Sequence, residues 1–559
     1  MINYLDLNTY DYDLDEKYIR QSPIKNRSMS KLMVVDKSTG EIEHTHFKDI
    51  VSYLRKGDVL VLNDTKVIPG RIYGFKKDTN AKIELLLLND LGEDVWECLA
   101  KPQKRLKVGT KLFFSNELEG EVTGIYDEGI TNVKFNYSGV FLNILENIGL
   151  MPIPPYIHKK LFDNSRYQTV YAKNIGSSAA PTAGLHFTNE LIDEIKNHGV
   201  SVLYVTLHVG LGTFRPVNEN DITKHKMHSE TYYISEEVAN KLNEAKKHHK
   251  RIIAVGTTSL RALEDNYSKY NMFKAANEET NIFIYPPYKI KSIDGLITNF
   301  HLPKSTLLML VSAFGGYDLI RNAYEEAKKN NYYFFSFGDA MFISDVSKRE
   351  EYNRYINEFN KKKPYKKFSD FKIYKGSKNI ILSIPHGKVH IRNNGSKRKE
   401  YNTIRIGKIL HMITGCHIIY VYKDNSNDYN YSKDNEYKSE LKKYIKENNI
   451  KYVLDIHGLS NDYKCNIEIG TNNYKNILND KEELDKIIEI INKNLTNKIL
   501  LDNKFKSSKK TICKDVSGDN VKAYQFEICN NYRKYNKRPI SFKKTINTFV
   551  KIIDFLSRG

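Results

Sequence analysis

One stretch of small residues has the composition of a ligand-binding loop. Residues 176–188 (GSSAAPTAGLHFT) contain two glycines, three alanines and a proline, so another group can approach the backbone closely. An amphipathic run, 189–198, follows at once and ends at a glycine. The loop therefore delivers Thr182, His186 and Thr188 to a helix start, where free N–H groups favour anions and polar ligands. A glycine-rich turn around a core histidine is the alternative interpretation.

Three further polar segments follow expected strands between residues 151 and 345, where strand and helix patterns alternate. Residues 206–213 (TLHVGLGT), 256–259 (GTTS) and 298–304 (TNFHLPK) lie at the ends of apolar runs. In α/β proteins, ligands sit where strands end and feed helices. Four such junctions, rich in His, Thr and Gly, predict one shared site.

Upstream of these segments lie another polar turn and then a stretch with a different residue pattern. Apolar residues 59–62 predict a buried strand before a polar turn, in which Asp64 or Lys66 could face a ligand. From 71 to 150, short alternating runs separated by Gly and Asp predict a small all-β unit, and we find no catalytic constellation in it.

Generic motifs add little to this region. Residues 210–212 (GLG) lack the third glycine of the dinucleotide fingerprint, and no Walker-type phosphate loop occurs. His225, His228 and Glu230 have a spacing that suits a metal site, but a polar surface segment is the favoured interpretation.

Composition bounds the classes of protein that remain. At 559 residues the chain is expected to form two to four domains. It has no long apolar run and no signal-peptide pattern at its N-terminus, so we expect a cytoplasmic protein without a membrane span. Five scattered cysteines fit reduced thiols. The net charge of +20 permits an RNA partner, although a general bias toward lysine would also produce it.

Taken together and in order, the motifs of residues 1–345 closely resemble one family, the S-adenosylmethionine:tRNA ribosyltransferase-isomerases of queuosine biosynthesis. Asp15 and Lys31 depart from the family pattern, which usually has Pro and often Arg there, but neither lies in a main motif. The strings that carry the resemblance are 63–67 (NDTKV), 167–172 (YQTVYA), 179–188 (AAPTAGLHFT), 206–210 (TLHVG), 212–214 (GTF), 225–230 (HKMHSE), 256–261 (GTTSLR), 298–307 (TNFHLPKSTL) and 337–343 (FGDAMFI).

The resemblance implies an unusual reaction. The ribosyl part of S-adenosylmethionine is attached to 7-aminomethyl-7-deazaguanine at the wobble position of tRNA, adenine and methionine leave, and epoxyqueuosine is formed. S-adenosylmethionine is then a substrate and no cofactor is needed. The implied fold is an α/β domain with a barrel-like core over 1–70 and 151–345, interrupted by the all-β domain over 71–150. A monomer that binds tRNA is expected.

The implied reaction requires side chains of particular types. A sulfonium acidifies its neighbouring CH₂, so a base is needed, and histidine suits that task near neutral pH. His186, His208 and His301 are the acid/base candidates, and the sequence does not rank them. Arg215 or Arg261 could hold a carboxylate or a phosphate. The further substrate-binding candidates are Asp64, Lys66, Thr182, Gly184, Thr188, Gly212, Thr213, Thr257 and Asn299.

The C-terminal part of the chain has a pattern of its own. A basic linker is expected over 346–377, followed by an α/β domain over 378–559. Residues 385–387 (PHG), 455–458 (DIHG) and 525–527 (QFE) each lie at or near a strand end. Two histidines and a glutamate brought together would suit a hydrolytic zinc site, with His386 and His457 as ligands and Glu527 as base.

These C-terminal strings resemble the N-formylglutamate amidohydrolase family, which is related in fold to the zinc carboxypeptidases. Where zinc-peptidase relatives have a third ligand, three residues after the first histidine, this chain has Val389. His390 or Glu468 is a possible substitute, and a binding-only domain without metal is the alternative.

Two other classes of function compete for the N-terminal part. One is a tRNA-binding scaffold that has lost catalysis, although the intact histidines and small-residue loop argue against it. The other is a methyltransferase, which would release S-adenosylhomocysteine in place of adenine and methionine.

Overall fold

The computed structural model describes residues 2–558 except 160, 211–216, 218, 347, 348, 393, 394, 398, 425, 426, 433, 434, 464, 496, 497 and 519. The chain divides into two compact units, Met1–Val346 and Ser347–Gly559. No helix in the described part of the chain combines the length and the apolar character that crossing a bilayer requires.

The first unit contains seventeen strands and six α-helices among the described residues. Its strands are β1 (Lys31–Asp36), β2 (Ile42–His46), β3 (Val59–Asn63), β4 (Thr65–Val67), β5 (Arg71–Lys76), β6 (Lys82–Asp90), β7 (Val95–Lys101), β8 (Lys111–Ser115), β9 (Leu118–Ile125), β10 (Ile130–Tyr137), β11 (Asn174–Ser177), β12 (Ser201–Leu207), β13 (Glu230–Ile234), β14 (Ile252–Val255), β15 (Ala276–Thr280), β16 (Gly295–Asn299) and β17 (Ala340–Ser344). Its helices are α1 (Phe141–Ile148), α2 (Asn189–Asn197), α3 (Glu236–Lys247), α4 (Gly256–Tyr270), α5 (Thr306–Gly315) and α6 (Tyr317–Lys329).

Nine of these strands form one mixed sheet in the order β15-β13-β12-β3-β14-β16-β17-β1-β2. The central strands β12, β3, β14 and β16 run parallel. Strands β3, β14 and β16 are buried along their whole length, as continuous apolar runs in a sheet covered on both faces require. The mixed α/β architecture is confirmed. Within the described residues the sheet ends at β15 and β2, so its hydrogen bonding is open, which differs from the barrel-like core that the resemblance implies.

A separate, closed six-stranded barrel is formed by β10-β7-β6-β5-β8-β9. Along β7 and β10, buried and more exposed residues alternate, and the buried set includes Trp96, Cys98 and Val133. That period of two is the pattern from which the sequence predicts an all-β unit, and the barrel confirms it. The domain limits 71 and 150 stay a prediction.

The second unit has ten strands and seven α-helices among its described residues. Its strands are β18 (Lys366–Lys367), β19 (Phe371–Tyr374), β20 (Ile380–Ile384), β21 (His390–Arg392), β22 (Gly395–Lys397), β23 (His417–Val421), β24 (Tyr452–Leu459), β25 (Ile467–Gly470), β26 (Ile499–Leu501) and β27 (Lys522–Cys529). Its helices are α7 (Arg349–Lys361), α8 (Thr403–Thr414), α9 (Glu436–Glu447), α10 (Lys481–Asn494), α11 (Ile512–Val516), α12 (Asn530–Arg533) and α13 (Pro539–Leu556).

Eight of its strands form a sheet in the order β18-β19-β23-β20-β24-β27-β25-β26, with β23, β20, β24 and β27 parallel. The apolar runs at 380–384, 417–421, 452–458 and 523–528 lie in β20, β23, β24 and β27. The stretch 346–377 differs from the expected linker, because α7, β18 and β19 lie in it. Phe359 and Phe371 in this stretch are fully buried, whereas most of its described lysines are exposed.

Each unit has its own hydrophobic core, so we predict that a chain ending at Val346 folds without the second unit. It should be soluble and should melt in one cooperative transition, as measured by circular dichroism against the full-length protein. Aggregation of the shortened chain, or a melt without a cooperative transition, would contradict the prediction.

Candidate functional site

Three turns at the carboxyl ends of central strands, or next to them, meet around one cavity of about 70 Å³ in the first unit. Ala179 to Ala183 supply one wall, Gly256 to Thr258 a second, and Thr298 to Leu302 a third. The sequence predicts that these segments share a site, and the structure brings them together. Of the candidate residues, Thr182, Thr257, Asn299 and His301 line the cavity.

The small-residue loop follows β11 and passes through a 3₁₀ helix, Thr182–His186. A Cβ on Gly184 would meet the hydroxyl of Tyr171 and the methyl of Thr169, and Gly176 has a positive φ with the ring of His208 against it. Gly184 therefore permits close packing. It is not one of the described residues that line the cavity. Thr188 has a different task from the one expected, because its hydroxyl accepts a hydrogen bond from the Leu191 N–H and caps α2.

Helix α4 begins directly at the end of β14, with Gly256 in a left-handed conformation. Val255, the residue before the helix, has no polar side chain with which to cap it, and Gly256, Thr257 and Thr258 all line the cavity. The first N–H groups of an α-helix lack intrahelical partners and carry a partial positive charge. The cavity wall formed by this helix start therefore favours a polar or anionic group.

Asn63, at the end of β3, fixes the neighbouring turns. Its Nδ2 donates to the Leu207 carbonyl at 3.0 Å and to Thr258 Oγ1 at 3.2 Å. Its Oδ1 accepts from the backbone N–H groups of Leu207 and Thr65 at 3.0 and 3.2 Å. One fully buried amide thus joins the ends of β3 and β12, the start of β4 and the first turn of α4.

His301 is the only one of the three candidate histidines among the described lining residues of this cavity. Its Nε2 lies 2.7 Å from Thr298 Oγ1, its backbone N–H donates to the Tyr324 hydroxyl, and its carbonyl accepts from the Tyr12 hydroxyl. Burial lowers the pKa of His301 to about 3. The ring is therefore neutral at pH 7 and held in one orientation.

His186 lies beside a second, smaller cavity, with Arg27 and Arg166 among its lining residues. Its Nδ1 is 2.8 Å from Ser30 Oγ and its ring stacks on Phe47 at 4.9 Å. Burial lowers the pKa of His186 to about 4, although the nearby Asn299 amide opposes this shift. Among the described residues, neither His186 Nε2 nor Asn299 Oδ1 completes a hydrogen bond.

His208, Asp64 and Lys66 form a separate group at the ends of β12 and β3. His208 Nδ1 lies 2.8 Å from Thr65 Oγ1, and Asp64 accepts hydrogen bonds from Asn174 and Thr206. Lys66 is half-buried on β4 and, like His208 and Asp64, is not among the described residues that line the cavity. The structure therefore does not bring these three candidates to the cavity.

Arg261 is buried in an ion pair with Glu230, which also accepts from the Gly210 N–H at 2.9 Å. This pair engages Glu230, which is buried at the start of β13, so that residue differs from the polar surface segment expected for 225–230. Nε and Nη2 of Arg261 complete no hydrogen bond within the described structure, and the guanidinium borders another small cavity. Gly212, Thr213 and Arg215 lie outside the described residues.

Sequence reasoning assigned no role to Tyr156, Tyr167 or Ser336, which also line the main cavity. Tyr156 Oη lies 2.7 Å from Ser336 Oγ, and the buried Tyr167 Oη completes no hydrogen bond within the described residues. Tyr167 is the first residue of one motif string, so the sequence did contain a signal for this residue. Nothing in the sequence around Tyr156 or Ser336 indicated this position.

A second group of chemically competent side chains lies in the second unit, at the ends of β20 and β24. His386 Nδ1 is 3.1 Å from His457 Nδ1 and 3.1 Å from Glu400 Oε1, and His457 Nδ1 is 3.7 Å from the same oxygen. Three ligand atoms of the kinds that zinc prefers thus converge on one point. His386 and His457 were predicted, whereas Glu400 was not.

Carboxylates orient both histidines. His386 Nε2 lies 2.8 Å from Asp428 Oδ1, and His457 Nε2 lies 2.9 Å from Asp455 Oδ2. An ionised carboxylate only accepts, so each Nε2 carries a proton, and each Nδ1 is the atom left to bind a metal in place of any proton that it shares with Glu400. This is the arrangement in which histidines bind a metal, and the donor set fits zinc.

The two residues considered as a third ligand are placed elsewhere. Glu468 Oε1 accepts from the backbone N–H groups of Lys504 and Phe505, at 2.7 and 2.6 Å. His390 stacks on His386 at 4.1 Å and faces Asp428, with which it forms an alternative three-residue group that uses Nε2 of His386. Glu400 is the third residue of the group instead. It lies fourteen positions after His386 in a basic run, and no motif in that run indicated a ligand.

Glu527 is opposite His457 in the register of β24 and β27, which puts both side chains on one face of the sheet. Burial, with a contribution from Glu400, raises the pKa of Glu527 to about 7, although His457 opposes the shift. Burial alone would lower the pKa of His386 and of His457, but Glu400, Asp428 and Asp455 outweigh it and raise both. The two histidines lower the pKa of Glu400 in turn. The carboxylates around these two rings therefore favour a positive charge there, either as a proton or as a bound cation.

Comparison with known proteins gives the first unit a clear relationship. The family model for "Queuosine biosynthesis protein" matches residues 7–343, which confirms the resemblance found for 1–345. The crystal structure of S-adenosylmethionine tRNA ribosyltransferase from Thermotoga maritima is 38% identical, covers 60% of this chain and 99% of that chain, and has a TM-score of 0.34.

Two further solved structures are similar to the C-terminal region. N-formylglutamate amidohydrolase from Ralstonia eutropha is 9% identical and covers 34% of this chain and 100% of that chain, with a TM-score of 0.27. A bacteriophage poly-gamma-glutamate hydrolase is 12% identical and covers 34% of this chain and 90% of that chain, with a TM-score of 0.22. At these values neither likeness carries an inference about activity.

The two neutral histidines of the first unit make its stability depend on acid. Unfolded histidine titrates near 6.5, whereas the pKa values of His186 and His301 are lowered to about 4 and about 3. Below pH 6.5 the unfolded chain binds more protons, so the free energy of unfolding falls as the pH falls. Between pH 7 and 5.5 each of the two histidines should lower the free energy of unfolding by about 1 kcal/mol.

His301→Gln removes one of these titrating groups. The melting temperature of the variant should therefore fall less between pH 7 and 5.5 than that of the natural protein. An unchanged pH shift in that variant would contradict the assignment.

Proposed function

The chain belongs to the queuosine biosynthesis protein family, and on that premise we propose that its first unit makes epoxyqueuosine in tRNA. The ribosyl moiety of S-adenosylmethionine is transferred to 7-aminomethyl-7-deazaguanine at the wobble position and isomerised, and adenine and methionine are released. The family match carries this proposal. The cavity supports it, because His301, Asn299, Thr182 and Thr257 line a single space.

The geometry favours His301 as the base. A neutral imidazole can accept the proton that the sulfonium acidifies, and His301 lines the cavity with its ring held by Thr298. Thr182, Thr257 and Asn299 offer uncharged partners to the ribose hydroxyls, and the uncapped start of α4 suits a polar group. His186 stays an alternative, since it interacts with Asn299, which lines the cavity. The enclosed space of about 70 Å³ is smaller than common ligand pockets of about 300 Å³ or more, so the substrate extends beyond it or widens it.

The reaction is tested with tRNA that carries 7-aminomethyl-7-deazaguanine, incubated with the full-length protein and S-adenosylmethionine. Nucleoside mass spectrometry should detect epoxyqueuosine, with adenine and methionine in equal amounts. S-adenosylhomocysteine in their place would indicate methyl transfer. A protein that binds tRNA without any product would be the scaffold.

Removal of His301 should lower the rate far more than the stability. A general base contributes about 10²- to 10⁴-fold, so His301→Ala should reduce epoxyqueuosine formation at least 100-fold. The matched control is His44→Ala, because His44 is a half-buried histidine on the edge strand β2 that also has a lowered pKa, but its ring bonds Tyr332 away from the cavity lining. Initial rates and melting temperatures are measured together. Normal rates in His301→Ala, or a loss in His208→Ala instead, would overturn this choice of base.

For the second unit we propose a zinc-dependent amide or ester hydrolase. The observation that carries this proposal is the convergence of His386, His457 and Glu400, with both histidines oriented by carboxylates. Zinc held there would polarise the scissile carbonyl. Glu527, whose pKa is raised to about 7, would take the proton of the attacking water. A binding domain without metal is the alternative.

Zinc content separates these alternatives. The full-length protein should carry about one zinc per chain, and His457→Ala or Glu400→Ala should lose it, because each change removes one of three ligands. His390→Ala is the matched control and should keep the metal, since His390 belongs to the alternative group around Asp428. Glu527→Gln should keep zinc and lose hydrolysis. Elemental analysis that finds no zinc and no uptake would exclude the hydrolase.

A further inference from the structure

The positive charge of the chain is divided unequally between the two units. Residues 1–346 contain 42 Lys and Arg against 43 Asp and Glu, and residues 347–559 contain 45 against 24. The formal net charge is therefore −1 for the first unit and +21 for the second. The whole excess of the protein lies outside the part that matches the tRNA-modifying family.

A general bias toward lysine does not produce this division. Acidic residues have nearly the same density in both units, whereas basic residues are almost twice as dense in the second. A bias acting on the whole chain would enrich both units alike. The charge of the second unit therefore requires an explanation specific to that unit, and a polyanionic partner provides one.

Part of this charge is gathered in one place, named here the basic patch: Lys372, Lys388, Arg405, Lys408 and Lys423. Lys372 on β19 is opposite Tyr420 in the register with β23, and the ammonium of Lys408 lies 5.3 Å from the Tyr420 ring centre. Arg405 and Lys408 are three residues apart on α8, so their side chains share one face of that helix. Burial lowers the pKa of Lys408, and Lys372, Arg405 and Lys388 lower it further because like charges near the ammonium disfavour its charged form.

Aromatic rings are interleaved with these cations. The Tyr422 ring has Lys372 at 4.3 Å and Lys423 at 5.6 Å, and Arg405 lies 4.2 Å from the Tyr535 ring. Tyr422 is half-buried and Lys423 is exposed. Among the described residues, no carboxylate lies within 4.0 Å of the charged end of any member of the patch. Self-repelling cations without counter-charges cost free energy in the unbound protein, and a bound anion removes that cost.

We propose that the second unit binds tRNA and that the basic patch contacts its phosphate backbone. The family reaction requires a polyanionic substrate, yet the first unit has no net positive charge with which to attract one. Phosphate neutralisation with release of counterions is the general source of such affinity. Tyrosine rings beside cations also suit RNA, because unpaired bases stack on them, whereas an anionic membrane surface or an acidic peptide offers no such planar group. This inference goes beyond the proposed reactions, since binding needs neither ribosyl transfer nor zinc.

The test measures binding of full-length protein to an unmodified tRNA transcript without S-adenosylmethionine. The variant Lys372→Gln/Arg405→Gln/Lys423→Gln should bind at least tenfold more weakly at moderate salt. Its slope of log K against log salt should be smaller by about 2 to 3, since each phosphate contact contributes about 0.7 to 0.9. The matched control is Lys481→Gln/Lys486→Gln/Lys493→Gln on α10, which removes the same charge from exposed lysines interspersed with acidic residues.

Two further variants and two other polyanions serve as controls. A charge-preserving variant, Lys372→Arg/Arg405→Lys/Lys423→Arg, should bind like the natural protein and so separates loss of charge from loss of fold. His457→Ala should leave tRNA binding unchanged, which separates the patch from the proposed zinc site. Unchanged affinity and slope in the Gln variant, or an equal loss in the α10 control, would overturn the proposal. Equal patch-dependent binding to phosphatidylserine vesicles or to polyglutamate would overturn the assignment to RNA.

Discussion

The first unit depends on a single buried amide. Asn63 accepts and donates two hydrogen bonds each, and its partners belong to β12, β4 and α4. A buried polar group left unpaired costs about 1–3 kcal/mol, so loss of this amide would leave several groups uncompensated at once. The turns it joins lead directly into the cavity wall formed by Gly256, Thr257 and Thr258. The position of the cavity is therefore a consequence of how the strand ends satisfy their hydrogen bonds.

The two units use histidine in opposite ways. In the first unit, His186 and His301 are buried with hydroxyl partners and no adjacent carboxylate among their hydrogen-bond partners in the described structure, so burial lowers each pKa and the rings stay neutral. In the second unit, His386 and His457 are also buried, but Asp428, Asp455 and Glu400 raise their pKa values. A neutral histidine can accept a proton from carbon, and a carboxylate-bound histidine can present a lone pair to a cation. The partner, more than the depth of burial, decides which chemistry is available.

The second unit combines a compact charged cluster with a broad positive charge, and the two have different physical causes. The cluster follows from strand pairing, because Asp455 and His457 on β24 face Gln525 and Glu527 on β27 in register. The charge follows from a high density of lysine without a matching density of carboxylates. The stretch up to residue 377 belongs to this unit as α7, β18 and β19, because Tyr352, Phe359, Phe371 and Tyr374 reach its core while most of the described lysines remain exposed.

The sequence alone determined the class of each unit, the strand positions and most of the chemically active residue types. Apolar runs such as 380–384 and 252–255 are strands because only paired backbone groups can be buried, and the period of two in 95–101 is visible without coordinates. The tertiary structure decided which candidates meet. Thr182, Asn299 and His301 reach the cavity, whereas Thr188 caps a helix and His208 bonds Thr65. Glu400 joins His386 and His457 because the order of the strands brings their ends together, and strand order depends on contacts between residues far apart in the chain, which local pattern does not encode.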